Sequence, residues 1–439
     1  MSTSELFTTL FVKEGFINIY NKVMSNHYFP IGLDGINNEV FRTNLDNEIN
    51  IILKKIGEKI YNFTTYKAML ISKGYDKYPR LVEKPTIRDR LVLRVLFEYL
   101  NTVYQIPLKN RKLHSQVNRV ANEIKNDKYG SVIRLDIKDY FPSINHDILF
   151  KKLKNKIRKK EILYLLRKAI CTSNTEYRSR DIHTRTKGIP QGLSISNILS
   201  NIYLFQVDKK YEALPQISYF RFVDDILILT DKMNCLRIKK MIFNDIQKLG
   251  LEFHTGKKLL VDDISTDFDF LGYRINNRIL SIRDESISRF RISLLKIFTK
   301  MKYDANKSRH PYYLFKLNLR ISGCIWNGNK YGWMFYFSQV ENEKVLHSLN
   351  HFLVKQLRRY NLNELRVKNI VRVFKEINNN LSHTKYIPNF DTLSIKSIKS
   401  LLDRIDVKYK DDNDAISKYY RIIKRITDEL ERDMIGFTS

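Results

Sequence analysis

Two adjacent carboxylates, Asp224 and Asp225, stand between the strand-like runs Ser218-Tyr219-Phe220-Arg221-Phe222-Val223 and Ile226-Leu227-Ile228-Leu229. This arrangement commits the segment to a hairpin with two acids at its turn. Aspartate favours turns for its own local hydrogen bonding, which is one explanation. A two-residue hairpin turn, however, selects Asn-Gly or Asp-Gly, because both positions need positive φ. Two like charges beside a buried sheet are costly unless a cation offsets them, so metal binding is the competing explanation. The segment alone does not choose between the two.

A second source of carboxylate shifts the balance. In Ile133-Arg134-Leu135-Asp136-Ile137-Lys138-Asp139-Tyr140-Phe141-Pro142, apolar residues alternate with charged ones, the pattern of a half-buried strand. Asp136 then lies on the strand face opposite Ile133, Leu135 and Ile137. A strand aspartate beside an Asp-Asp hairpin supplies hard oxygen ligands for paired Mg²⁺ ions, which sit roughly 3.5–4 Å apart in such sites. Paired ions of this kind activate a 3′-hydroxyl and stabilise a leaving pyrophosphate. A third segment, Lys187-Gly188-Ile189-Pro190-Gln191-Gly192-Leu193-Ser194, has two glycines and a proline around a glutamine. It reads as a backbone-exposed loop able to lie under a base or sugar.

Composition bears on the partner. With 77 Lys+Arg against 47 Asp+Glu, the net charge is +30 over 439 residues, and 43% of residues are apolar. A folded chain with that excess predicts a polyanionic partner. Nucleic acid fits better than a membrane surface, because the basic residues run along the whole chain. The three cysteines, Cys171, Cys235 and Cys324, are too few and too dispersed for a disulfide framework or zinc site, so a reducing cytoplasm is the expected compartment. No apolar run approaches a membrane span, and Lys13 and Glu14 interrupt the apolar N-terminus. His183 and His254 have no cysteine or acid at ligand spacing, and Ser194 and Ser196 have no His/Asp arrangement, so zinc chemistry and nucleophilic hydrolysis lack support.

In their order and spacing these segments resemble the reverse transcriptase family, over roughly residues 30–275. The resemblance implies an α+β fold, a right-hand polymerase palm and fingers followed by an α-helical C-terminal domain that is thumb-like or a helical repeat. The implied divisions are N-terminal helices and fingers at 1–130, palm at 131–279 and helical domain at 280–439. Asp136, Ile137, Asp224 and Asp225 become the metal residues, for two Mg²⁺ ions with Mn²⁺ as a substitute. Phe222 departs from the family's Tyr-X-Asp-Asp box but leaves the acids intact. Lys257, within Leu249 to Lys258, resembles the lysine presented to the leaving pyrophosphate, with Lys258 its competitor. Arg80, Lys84, Gln191 and Gly192 resemble nucleotide-contacting positions. Phe141 resembles the sugar gate, whose ring would collide with a 2′-hydroxyl. Leu271 and Gly272, in Phe270-Leu271-Gly272-Tyr273, resemble a primer grip, and Gly32 to Phe41 resembles an N-terminal element of group II intron enzymes.

The partners so implied are an RNA template, an RNA–DNA hybrid and deoxynucleoside triphosphates. No Val-Thr-Gly triplet of the retron type and no Cys/His-rich nuclease tail is present. The helical tail with Gly328 to Phe337 is more similar to bacterial defence-associated and abortive-infection reverse transcriptases, several of which act with a dedicated noncoding RNA or as homo-oligomers. Tyr331 to Phe337 itself reads as core packing in preference to a base-stacking platform. Competing functions are template-independent or protein-primed DNA synthesis on the same site, and an intron-type maturase that binds RNA as a splicing cofactor. Intact Asp136, Asp224 and Asp225 argue against the last.

Coarse periodicity completes the reading. Residues 4–24 and 44–60 read as helices, and Arg80 to Lys84 as a strand. Lys151 to Lys160 reads as one amphipathic helix, with Phe150, Leu153 and Ile157 inward. Lys151, Lys152, Lys154 and Arg158 are candidate nucleic-acid contacts, although a solvated face is the commoner use of such a run. After residue 280 strand signals fade and helical patterns dominate.

Overall fold

The alternation at Ile133, Leu135 and Ile137 becomes a strand and its continuation with all three side chains buried, while Arg134 and Asp136 remain partly exposed. The structure is a computed structural model that describes residues 3–25, 29–71, 78–105, 113–126, 128–175, 184–305 and 310–435. The chain divides into two compact units, one of residues 1–111 and 128–262, the other of residues 112–127 and 263–439. The three-part division at 130 and 279 assigns residues 263–279 to the palm, whereas compactness groups them with the second unit.

The first unit contains β1 (Tyr66–Ile71), β2 (Arg80–Lys84), β3 (Ser131–Asp136), β4 (Asn174–Thr175), β5 (Ile217–Phe222), β6 (Asp225–Thr230) and β7 (Leu260–Asp263). They form a three-stranded sheet in the order β2-β1-β4 and a four-stranded sheet in the order β5-β6-β3-β7. In the larger sheet β6 runs antiparallel to both neighbours, with Ile133 opposite Ile228 and Tyr219 opposite Ile228 on the other side. The helix Ser196–Glu212 buries Ile198, Leu199, Ile202, Tyr203 and Tyr211, and the helix Ile87–Tyr104 buries its apolar residues in the same core. Each fully buried Ile or Leu contributes about 1.5–3 kcal/mol relative to exposure. Thr86 caps the second of these helices, its hydroxyl accepting from the Asp89 amide.

The second unit contains β8 (Phe268–Phe270), β9 (Tyr273–Asn276), β10 (Ile279–Ile282), β11 (Cys324–Trp326) and β12 (Asn329–Tyr331), with long helices such as Asp284–Tyr303, Lys344–Arg359 and Asp412–Ile435. The fold is α+β, built from mainly antiparallel sheets, with β4 joining β1 in parallel, and from separate helices.

Three local expectations are corrected. Residues 4–24 are not one helix: Thr3–Leu10 ends, extended Val12 restarts the chain as Lys13–Ile19, and Tyr20–Met24 continues it as a wider turn. Lys151 to Lys160 is not one helix either. The helix begins earlier, at His146, where the Asn145 side chain caps it, and ends at Lys154. The Lys152 and Leu153 carbonyls there accept from the Asn155 and Ile157 amides, and the Tyr104 hydroxyl donates toward both at 3.3 Å, so the last turn is satisfied as the chain leaves the helix. Finally, a strand pair does occur beyond residue 280. β11 and β12 form a hairpin around Asn327-Gly328, both at positive φ. That dipeptide is the strongest short-range hairpin signal, set here among helical patterns.

Candidate active site

The Asp-Asp hairpin forms, but its turn is Val223-Asp224, and Asp225 is already the first residue of β6, paired with Phe222. Only Val223 takes positive φ, at +57°, whereas Asp224 does not. The expectation that both acids occupy the turn is therefore corrected. One is held by the turn and the other by the sheet, so they point from differently constrained backbone. Asp136, the last residue of β3, lies directly opposite Asp225 in the register. The Ile137 amide donates to the Asp224 carbonyl at 3.0 Å, tying the continuation of β3 to the hairpin turn.

The segment 252–258 lies along this end of the sheet. The Lys138 amide donates to the Glu252 carbonyl at 2.8 Å, and the His254 amide to the Asp136 carbonyl at 2.8 Å. This brings Lys258 Nζ to 3.1 Å and His254 Nε2 to 3.3 Å from Asp136 Oδ1. Lys258 thus engages an acid of the site. Lys257 shares the same short turn, Gly256–Lys258, but its side chain lies outside those described. Sequence spacing missed the pairing of His254 with Asp136, because the two are far apart in the chain. His183 lies outside the described residues.

Burial, then the neighbouring Asp136 charge, pushes Asp224 up to about 6, opposed by Arg80 and Lys258. Burial pushes Asp225 up to about 7; Arg134 opposes that shift, while Asp136 and Asp224 add to it. Arg134 Nε stands 3.5 Å from Asp225 Oδ1, an oxygen buried without a hydrogen bond. Among the described residues no three acidic, histidine or cysteine side chains already form a closed metal cage, and Asp136 Oδ1 is engaged by Lys258 and His254. The donor set is nonetheless all carboxylate oxygen, with one orphaned buried atom, and it suits a hard divalent cation. The Ile137 side chain is buried, so only its backbone is available to such an ion.

A cavity of about 480 Å³ is lined by Arg80, Val82, Phe141, Gln191, Gly192, Ser194 and, from the helix Ile87–Tyr104, Arg90 and Arg94. Four residues singled out from sequence therefore converge. They do so because β2 docks on the glycine-rich loop: the Glu83 amide donates to the Gln191 carbonyl at 2.7 Å, and the Gln191 amide to Glu83 Oε2 at 3.0 Å. A Cβ at Gly192, where φ is +106°, would sit 2.8 Å from Val82 and 2.9 Å from the Glu83 carbonyl, so only glycine permits this approach. Arg90 and Arg94 were not foreseen. Their i, i+4 spacing on one helix face was the available signal, and only the cavity gives it meaning. Burial holds Arg90 down to about 10.

The remaining candidates fall elsewhere. Lys84 is not among the cavity-lining residues; its Nζ is 2.6 Å from Met69 Sδ, and burial lowers its pKa. Lys151, Lys154 and Arg158 are exposed, whereas Lys152 is half-buried with its ammonium 5.7 Å from the Tyr203 ring centre. Within the second unit, Leu271 and Gly272 form the β8–β9 turn, both at positive φ. The Tyr336 hydroxyl donates to the Leu271 carbonyl at 2.5 Å, and Trp333 to Phe337 are all buried, as core packing requires.

Residues 71–275 match the family model described as reverse transcriptase (RNA-dependent DNA polymerase). A curated relative, an uncharacterized 91 kDa protein in a cob intron of Schizosaccharomyces pombe, is 32% identical over 46% of this chain and 25% of its own length. The group II intron-encoded protein LtrA of Lactococcus lactis is 25% identical over 58% of this chain and 45% of its own. The chain thus spans less than half of these two relatives. The apo telomerase of Candida tropicalis superposes with a TM-score of 0.43 at 15% identity, over 90% of this chain and 77% of its own. Among the described residues no helix is long and apolar enough to cross a membrane. Residues 71–275 thus resemble a reverse transcriptase domain, and the chain is similar over 58% of its length to a group II intron-encoded protein.

Proposed function

We propose that the protein is an RNA-directed DNA polymerase that copies an RNA template into DNA, and that it serves bacterial antiviral defence with a dedicated noncoding RNA. The observation that carries the polymerase reading is the register of Asp136 opposite Asp225, one residue from Asp224, at the end of one sheet. Asp136, Asp224 and Asp225 would hold divalent cations, Mg²⁺ in the first instance. When bound, such ions supply Lewis-acid activation of a primer hydroxyl and charge relief at a leaving pyrophosphate.

The chain's own residues supply binding and orientation. Arg80 in the cavity and Lys258 beside Asp136 offer positive charge to a triphosphate. Gln191 and Gly192 present backbone and amide to a base or sugar, and the Phe141 ring, packed on Tyr140 at 5.7 Å between centres, blocks a 2′-hydroxyl. The net charge of +30 supports a nucleic-acid partner held through phosphates. The defence role rests on the similarity of the helical tail to defence-associated enzymes.

Primer extension on an RNA template, with Asp224→Ala/Asp225→Ala as the control, tests the activity. Incorporation of deoxynucleotides by the parent and none by a folded double variant is expected, and polymerisation by the double variant would remove the catalytic assignment. Sequencing the RNA that copurifies from the host tests the partner: one dominant noncoding species supports it, and a random mixture overturns it. A second reading, an intron-type maturase, is favoured by the relatives named as intron proteins. Recovery of a group II intron RNA in the same experiment would select it.

A further inference from the structure

The geometry points to Arg221 as a positioning residue for Asp224: locked against buried Asp208, its guanidinium grips the Val223 carbonyl and holds the Asp-Asp turn in a conformation its sequence disfavours. Valine at a φ of +57° is the unusual feature. A β-branched side chain in the left-handed region is a genuine outlier, persisting only where surrounding contacts over-determine it. The hairpin turn nevertheless needs positive φ at this place, and no glycine occupies it.

The contacts that over-determine it come from Arg221. Its side chain is 1% exposed and that of Asp208 2%. Arg221 Nε and Nη2 donate to the two Asp208 oxygens at 2.6 and 2.5 Å, a bidentate pair. Nη2 also reaches Asn201 Oδ1 at 3.2 Å, and the Tyr219 hydroxyl donates to Asp208 at 3.0 Å. Asn201 and Asp208 are seven residues apart on the helix Ser196–Glu212, hence on one face of it. The remaining arm, Nη1, donates to the Val223 carbonyl at 2.8 Å. The next carbonyl, that of Asp224, receives the Ile137 amide. The turn is therefore held on successive peptide groups, by a planar fork on one side and by β3's continuation on the other. A buried ion pair kept only for stability has no need of the third arm.

The clamp itself stands on geometry alone; its consequence for metal binding rests on the proposed role of Asp224, and the experiment separates them. Arg221→Lys keeps the charge but cannot make the fork and the third bond together. The double change Asp208→Leu/Arg221→Met removes both buried charges, an exchange that buried pairs often tolerate, and serves if the lysine variant does not fold. Val223→Gly, added to either, relieves the need for a clamp. Amide hydrogen exchange of peptides covering 134–139 and 221–227, in metal-free buffer, reads the clamp. At least tenfold faster exchange in the clamp variants is expected, and unchanged exchange overturns the inference. Mn²⁺ half-saturation, followed by electron paramagnetic resonance of the free ion, reads the consequence. A rise of about tenfold is expected, largely reversed by Val223→Gly although thermal stability stays lowered in the lysine variant. A loss of stability with unchanged Mn²⁺ binding, or no reversal by glycine, would leave Arg221 a purely structural residue. A parent protein that binds no Mn²⁺ would sink the metal reading, and the exchange data would still decide the clamp.

Discussion

Replacing Asp225 by asparagine should stabilise the metal-free protein while abolishing the activity proposed for it. Burial pushes the Asp225 carboxyl from 3.8 up to about 7. The folded state therefore binds this proton more tightly than the unfolded chain. The associated stability is complete below about pH 4 and is lost as pH rises through about 7. At about 1.36 kcal/mol per unit, the ionised group costs about 4 kcal/mol at pH 8 and under about 2 kcal/mol at pH 5. Asparagine avoids that cost but leaves Arg134 without its carboxylate, which takes back about 1–2 kcal/mol. The net gain is about 2 kcal/mol at pH 8, or about 4–8 °C for a unit of this size, and near zero at pH 5. Scanning calorimetry with a chelator, at both pH values, measures the difference. Added Mg²⁺ should raise the parent's midpoint and leave the variant's unchanged. A variant no more stable than the parent at pH 8, or a gain that does not change with pH, would refute the argument that Arg134 only partly offsets the buried negative charge here.

Three further outcomes are expected. Phe141→Val should raise ribonucleotide use relative to deoxynucleotide use in competitive incorporation, because the ring lining the cavity is the steric block; an unchanged ratio removes it as the gate. Glu83→Gln, at a carboxylate buried against Arg185 and the Gln191 amide, should lower stability by about 3 kcal/mol and raise KM for the nucleotide about tenfold. Denaturant titration and steady-state kinetics check these, and a stable variant with parental KM would show that Glu83 does not set the loop. Exchanging Lys151, Lys154 and Arg158 together for serine should flatten the salt dependence of RNA binding by up to about three counterions, with nucleotide affinity little changed; an unaltered slope marks them as a solvated face.

The sequence by itself determined the local facts about this protein. The alternation at Ile133, Leu135 and Ile137 assigned Asp136 to the half-exposed strand face, because side chains alternate with period two. Apolar runs either side of Asp224-Asp225 specified a hairpin, and the glycines around Gln191 marked a loop with exposed backbone, whose close approach to β2 the structure alone supplied. Tertiary structure decided which local pieces meet. Only strand register sets Asp136 opposite Asp225, and only the docking of segment 252–258 brings His254 and Lys258 to Asp136. The same holds for Arg221 with Asp208, for Glu83 with Gln191, and for Arg90 and Arg94 in the cavity. The physical reason is common to these cases. Periodicity reports which face of one element avoids water, whereas the partner across that face is chosen by packing and register between elements, which leave no fixed spacing along the chain.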